Sequence, residues 1–369
     1  MKYIDGFRDP GAAAELRARI HAAARRLPAG RPPVHIMEVC GSHTMAIGRY
    51  GIRDLLPGGL DLISGPGCPV CVTSAGYVDA ALELARRGLA IFTFGDMINV
   101  PGSESTLAEG RAAGATVTAC YSPLEALDFA RAHPDREVVF LAIGFETTIP
   151  PVVSLVDRAL AEGRKNLSLL TAFKTVPPAL EALVADPELR IDAFLCPPHV
   201  SAIIGARAYE PFVARHHRPC VIAGFEPLDI LLGLDGILEQ LGRGEARVEN
   251  QYARVVTADG NPQAQALMAR YLEPVDEHWR GLGPVPGSGL GLRPAFAEFD
   301  AARRHGVRTD RGREHPGCRC GDVIKGKIKP PECPLFRRAC TPVRPIGPCM
   351  VSSEGSCAAW FKYGRHDET

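Results

Sequence analysis

Six of the chain's 12 cysteines crowd one stretch near its end: Cys318, Cys320, Cys333, Cys340, Cys349 and Cys357. Around them, residues 317–363 are dense in Cys, Pro and Gly with little apolar periodicity. Such a segment cannot build a core alone and needs another tie. Several soft thiolates arriving from short, kinked loops suit an iron–sulfur cluster, because each cysteine must turn inward at its own angle. Structural zinc also takes four thiolates. The spacing favours the cluster, since Cys318 and Cys320 form a CxC and the tail holds no pair of CxxC motifs. Disulfides or free thiols are the third possibility. A cluster uses four of the six, which leaves two spare, one or both of them available as its redox partners.

A second thiol group lies far upstream, in Gly65-Pro66-Gly67-Cys68-Pro69-Val70-Cys71. A CxxC is often acidified, and it either forms a reversible disulfide or binds a soft metal. Half of a zinc site has the same appearance. The Gly-Pro-Gly lead places it on a tight turn beyond a strand, where open α/β sheets put ligand sites. Cys40-Gly41-Ser42-His43-Thr44 also follows a strand. Cys40 falls where a helix would start, and N–H groups there favour a thiolate. His43 is placed to act as a base, a hydrogen-bond donor or a support. An inert core cysteine is the bland alternative, opposed by the polar residues that follow. Cys40, Cys68 and Cys71 are expected to converge on one point.

Polar loops in the second half face the same way. Gly144-Phe145-Glu146-Thr147-Thr148 offers a carboxylate and two hydroxyls at a strand end, and Pro197-Pro198-His199 offers an imidazole. The bland readings are a helix cap for Thr147 or Thr148 and a satisfied loop histidine for His199. Lys174 supplies a cation near that rim, and Asp96 and Asn99 follow a third strand. Cys120, Cys196 and Cys220 sit in apolar strands and read as inert core. No GxxxxGK[ST] phosphate loop occurs. Gly287-Ser288-Gly289-Leu290-Gly291 lacks a preceding strand, so it does not read as dinucleotide-binding.

These side chains need elements to position them. Short apolar runs at 34–39, 61–64, 90–94, 116–120, 137–143, 167–173, 193–196 and 220–223 alternate with helical patterns at 75–87, 123–133, 152–162, 178–186 and 201–207. Continuous apolar strands separated by helices predict parallel sheets covered on both faces, an α/β fold. A strand feeding a polar, Thr-ended loop occurs at 34–44 and again at 138–148, which predicts two related halves facing a cleft. The expected division is 1–125 for α/β domain I with Cys40 and the CxxC, 126–240 for α/β domain II, and 241–369 for an irregular C-terminal iron–sulfur domain. Residues 281–291 read as a Gly/Pro/Ser-rich loop or linker. Residues 12–26 read as an exposed amphipathic helix with Leu16, Ile20, Ala23 and Ala24 on one face.

Lys+Arg and Asp+Glu both number 42, so the net charge is zero and no long-range field gathers nucleic acid or anionic membrane. With 46% hydrophobic and 23% charged residues, the chain is an ordinary globular one rather than disordered, coiled or collagenous. No apolar run approaches the ~20 residues of a membrane span, and the first eight residues or so lack the apolar core of a secretory signal. A cytoplasmic protein is expected, whose cysteines serve metal or redox chemistry rather than a disulfide framework.

Taken together, MEVCGSHT (37–44), GPGCPVCVT (65–73), GFETT (144–148), PPHVSAIIG (197–205) and the run CRCGDVIKGKIKPPECPLFRRACTP…GPCMVSSEGSCAAW (318–360) resemble the HypD family of [NiFe]-hydrogenase maturation, along nearly the whole chain. The resemblance implies two related α/β domains and a third with a 4Fe–4S cluster. It implies a complex with the small chaperone HypC, the pair holding an iron that carries CO and two cyanides before delivery to the hydrogenase large subunit. HypE donates the cyanide groups, made with HypF. Cys40 would then be the iron ligand shared with a HypC cysteine, with His43 beside it, and Cys68 and Cys71 a redox pair or further iron contacts. The cluster environment is similar to that of ferredoxin:thioredoxin reductase, where a cluster passes electrons to a nearby disulfide. Cys320, Cys333, Cys340 and Cys357 are the expected cluster ligands, with Cys318 and Cys349 spare. The expected function is a scaffold and redox component for assembly of the Fe(CN)2CO moiety. The alternatives are a stand-alone iron–sulfur dithiol oxidoreductase acting on protein thiols and a zinc-stabilised α/β enzyme.

Overall fold

The computed structural model describes residues 5–28 and 32–364; residues 1–4, which begin the stretch tested above for a secretory signal, lie outside the described residues, as do 29–31 and 365–369. The eight apolar runs form strands β1 (Val34–Glu38), β2 (Leu60–Ser64), β3 (Ala90–Phe94), β4 (Val117–Cys120), β5 (Val138–Gly144), β6 (Leu167–Lys174), β7 (Ala193–Cys196) and β8 (Cys220–Ile222), and three further strands follow that the runs did not indicate: β9 (Val248–Asn250), β10 (Leu272–Trp279) and β11 (Gly283–Leu292). One sheet has the order β2-β1-β7-β8-β9 and is parallel throughout. The other has the order β10-β11-β6-β5-β3-β4, parallel from β6 to β4 with an antiparallel hairpin at its edge. Every residue of β5 is buried, as expected of a strand covered on both faces.

Helices cover the sheets. The stripe on helix Pro10–Arg25 is amphipathic as expected: Leu16, Ile20 and Ala23 are buried against Leu231, Leu234 and Leu238 of helix Pro227–Arg243, while Ala24 is half-buried. Burying Ile20 and Leu16 there contributes roughly 1.5–3 kcal/mol each.

The strand pairing does not follow a division at residue 125 or at 240. β1 and β2 share a sheet with β7, β8 and β9, whereas β3 and β4 share one with β5, β6, β10 and β11. The chain crosses from the first sheet to the second after β2 and returns after β6. Residues 281–291, expected to be a loop or linker, are mostly strand β11. Their glycines answer a packing demand: a Cβ on Gly289 would lie 2.7 Å from Glu277 Cβ and 3.1 Å from Phe173 O.

The Cys-rich tail has no core of its own. Val323, Ile324, Phe336 and Met350 are buried in one apolar cluster with Val70, Val72 and Phe194. Among the described residues no helix is long and apolar enough to cross a membrane.

Candidate functional site

Cys40 ends the β1 turn and precedes helix Gly41–Arg49; the CxxC loop follows the neighbouring strand β2. The two loops touch along their backbones. Gly65 N–H donates to Glu38 O at 2.7 Å, and Gly41 N–H donates to Gly67 O at 3.1 Å. A Cβ on Gly67 would stand 2.2 Å from Cys40 N, so only glycine allows this approach. Within the CxxC, the thiols of Cys71 and Cys68 lie 2.6 Å apart, and Cys71 N–H donates to Cys68 Sγ at 3.2 Å. Cys40, Cys68 and Cys71 therefore sit on adjoining loops but not on the single point expected: among the described residues no group of three His, Cys, Asp or Glu side chains could hold a metal ion. They do not form an open loop: they are 8%, 4% and 3% exposed.

That burial reverses one expectation. The N–H groups of His43 and Ser42 favour a Cys40 thiolate, as a helix start should, but burial and the nearby Glu354 outweigh them and push the thiol up to about 12. Cys71 is also held protonated, by burial and by its bond with Cys68. Beneath Cys40 lies Glu38, fully buried. It accepts Cys40 N–H at 3.2 Å and the hydroxyl of Thr44. Desolvation pushes its carboxyl up to about 7.

His43 is fully buried on the first turn of the same helix. Its Nε2 lies 3.1 Å from Ala223 O and 3.0 Å from Gly224 O, both just after β8. Carbonyls only accept, so Nε2 carries the proton and Nδ1 is the free lone pair. Nδ1 is buried with no hydrogen-bond partner. Burial lowers the imidazole to about 4, which keeps it neutral. Phe225 lies between His43 and His199, with ring centroids at 4.9 and 4.5 Å. His199 is exposed at the rim, with its pKa lowered by desolvation.

The residue that the motif reading missed is Glu354, between Cys349 and Cys357. Its Oε1 accepts Ser42 Oγ at 2.7 Å, and two residues earlier Ser352 Oγ donates to Asp96 Oδ2 at 2.9 Å. Asp96 follows β3 of the second sheet, so residues 352–354 bridge the carboxyl ends of both sheets. The signal was present in the acidic Ser-Ser-Glu-Gly-Ser stretch, but its partner lies 312 positions away. Phe225 and Glu38 offered no chemical signature.

Glu146 occupies a different place. Its Oε1 accepts Val176 N–H at 2.9 Å at the start of helix Val176–Ala185, Oε2 is buried without a partner, and burial pushes the carboxyl up to about 7. Thr147 is half-buried; Thr148 Oγ1 donates to Phe145 O at 3.2 Å, and the helix that follows has no side-chain cap bond. Lys174 is fully buried, 3.3 Å from Glu277 and over the Trp279 ring, rather than at a rim. Cys120, Cys196 and Cys220 are buried in their strands.

In the tail the thiols form a chain of contacts. Cys318 bonds with Cys320, Cys320 with Cys349, and Cys349 lies 3.1 Å from Cys357. Cys340 Sγ accepts Ile346 N–H at 3.3 Å, and Cys333 is buried in the same cluster. Cys318 and Cys349 are thus inside the chain of contacts rather than apart from it. Cys71 Sγ reaches Pro348 O at 3.9 Å, next to Cys349. Among the described residues no group of three His, Cys, Asp or Glu side chains converges on a single metal position. A four-iron cluster binds each thiolate at a different iron, so soft donors strung around one volume fit it.

A family model described as "HypD: Hydrogenase formation hypA family" matches residues 12–364. The chain is 49% identical over 373 residues to the hydrogenase maturation factor HypD of Azotobacter vinelandii, covering 99% of this chain and 97% of that protein. It is 45% identical over 377 residues to the hydrogenase maturation factor HypD of Rhizobium leguminosarum bv. viciae, covering 100% and 97%. To the hydrogenase maturation factor HypD of Escherichia coli K12 it is 42% identical over 370 residues, covering 100% and 99%.

Proposed function

The chain belongs to the HypD family, and from that premise we propose that it is the scaffold and redox component on which the Fe(CN)2CO moiety of [NiFe]-hydrogenases is assembled. Its role lies in hydrogenase maturation. The observation that carries the finer reading is the backbone contact between the Cys40 loop and the CxxC loop, with the tail thiols packed behind Cys71.

The iron with its CO and cyanides is cargo. Cys40 holds it as a thiolate, together with a cysteine of HypC, because low-spin iron with strong-field ligands suits soft donors. A thiol at about 12 must lose its proton when iron binds, so loading releases one proton per Cys40–iron bond. His43, kept neutral by burial and bonded through Nε2 to the carbonyls of Ala223 and Gly224, fixes the helix start that carries Cys40. Asp96, His199 and Glu354 form the polar rim that the cargo meets, while Glu146 and Thr147 hold the end of the second sheet in place. Cys68 and Cys71 pass between dithiol and disulfide, giving up two electrons and two protons on oxidation. Four of the tail thiols, Cys320, Cys333, Cys340 and Cys357 in our assignment with Cys318 and Cys349 adjoining, would hold a 4Fe–4S cluster, whose chemistry there would be one-electron supply. The two sheets and the tail serve as the three working parts of a cytoplasmic scaffold that meets HypC and receives cyanide through HypE.

The test is the infrared spectrum of anaerobically purified protein together with HypC. Cyanide and carbonyl stretches are expected, and Cys40→Ala should remove them. The Cys68–Cys71 contact favours one other reading, an iron–sulfur dithiol oxidoreductase acting on protein thiols. Iron and sulfide without those bands would select it, and zinc without iron or sulfide would end both.

A further inference from the structure

Arg280 follows β10 at the tip of the β10–β11 hairpin, and it is only 3% exposed. Its backbone N–H donates to Val72 O at 2.8 Å and its Nε donates to Thr73 O at 2.9 Å. Both bonds fall on the chain immediately after Cys71. The next residue, Gly281, has φ +84° and lies against the Cys318–Cys320 segment: a Cβ there would come 2.7 Å from Gly321 Cα. The hairpin tip is therefore wedged between the two thiol groups.

One carboxylate faces this guanidinium, Glu314, with Oε1 3.5 Å from Nε. Arg280 Nη2 is buried and has no hydrogen-bond partner. Leaving a buried donor unpaired is costly, and more so when it is charged. The strap to Val72 and Thr73 does not use that nitrogen. Through Gly281 the same hairpin tip lies against Gly321, the residue after Cys320. A cavity of about 500 Å³ adjoins Arg280 and reaches Ile346, whose N–H binds Cys340 Sγ.

We infer that Arg280 is a positioning residue for the sulfur cluster: its unpaired N–H and its buried charge are held for anionic sulfur on the tail thiols, and they favour the cluster's reduced state. The inference rests on the reading of the tail as a cluster site. Net charge and hydrogen bonds to sulfur are the levers by which a protein sets such a potential. Reduction adds one electron to the cluster, supplied in the test by dithionite, and moves no atom.

The experiment compares the full chain with Arg280→Gln, Arg280→Lys and the exposed change Glu314→Gln after anaerobic reconstitution. Iron and sulfide per chain, thermal melts and the midpoint in a dithionite titration followed by electron paramagnetic resonance are read for each. Arg280→Gln should shift the midpoint to more negative potential, Arg280→Lys should stay near the parent, and Glu314→Gln should shift it the other way. Loss of the cluster from Arg280→Gln but not from Arg280→Lys would also support the charge. Equal midpoints in the parent and both Gln variants overturn the inference, as does an equal effect of Lys and Gln. A parent chain that holds no iron and sulfide overturns the cluster reading itself, a result distinguishable from these.

Discussion

Cys40 shows how a motif and its environment can pull a side chain in opposite directions. The strand-to-helix turn points N–H groups at the sulfur, yet burial and Glu354 dominate, and the thiol stands at about 12 against an ordinary 9.0. Below both values the thiolate fraction changes about tenfold per unit, so Cys40 at pH 8 should react with iodoacetamide about a thousandfold more slowly than a free thiol. Mass spectrometry of time points measures this, and Glu354→Gln should speed the reaction by removing the second cause. A Cys40 that reacts at the free-thiol rate would contradict the site's electrostatics. The motif itself was legible because small and polar residues after an apolar strand are a local pattern. Glu354, Phe225 and the carbonyls of Ala223 and Gly224 were not, because they reach Cys40 and His43 only through tertiary packing.

Strand ends do the positioning, and two of them carry testable demands. Gly67 must be glycine, because a Cβ would meet backbone atoms of Val39 and Cys40 that cannot yield. Gly67→Ala should lose at least ~2 kcal/mol in chemical denaturation, the upper part of the usual overpacking range. Gly58→Ala, with open space around it, is the control. At the end of β5, Glu146 stands at about 7 when folded against 4.5 in the unfolded chain. A carboxyl raised in this way stabilises the fold below pH 4.5 and loses that contribution as the pH rises through 7. The difference amounts to about 3 kcal/mol at 1.36 kcal/mol per unit. Glu146→Gln keeps an acceptor for Val176 N–H and removes the charge. It should therefore gain about 3 kcal/mol at pH 8 and almost nothing at pH 4, as read by urea titrations at both pH values. The parallel strands were legible because burial on both faces forces continuous apolar runs. β11 was not: its Gly and Pro look like a linker, while the structure uses Gly289 to let β10 and β6 approach.

At the scale of the molecule, two sheets and a coreless tail depend on one another. The tail buries Val323, Ile324, Phe336 and Met350 in the same cluster as the CxxC loop. Its residues 352–354 take hold of Asp96 after β3 and Ser42 after β1, and so of both sheets at once. Ser352 is 2% exposed, donates to Asp96 at 2.9 Å and accepts Glu354 N–H at 3.3 Å. Ser352→Ala leaves both partners short of a bond and should cost about 1–3 kcal/mol. If the tail is what couples the sheets, the loss is not confined to one side. Hydrogen exchange should then quicken together in residues 95–99, 40–44 and 349–357, while helix Pro10–Arg25, packed on the far face of the first sheet, keeps its protection. Faster exchange in 95–99 alone would mean that Ser352 holds only its own neighbour, and that the two sheets meet the tail independently.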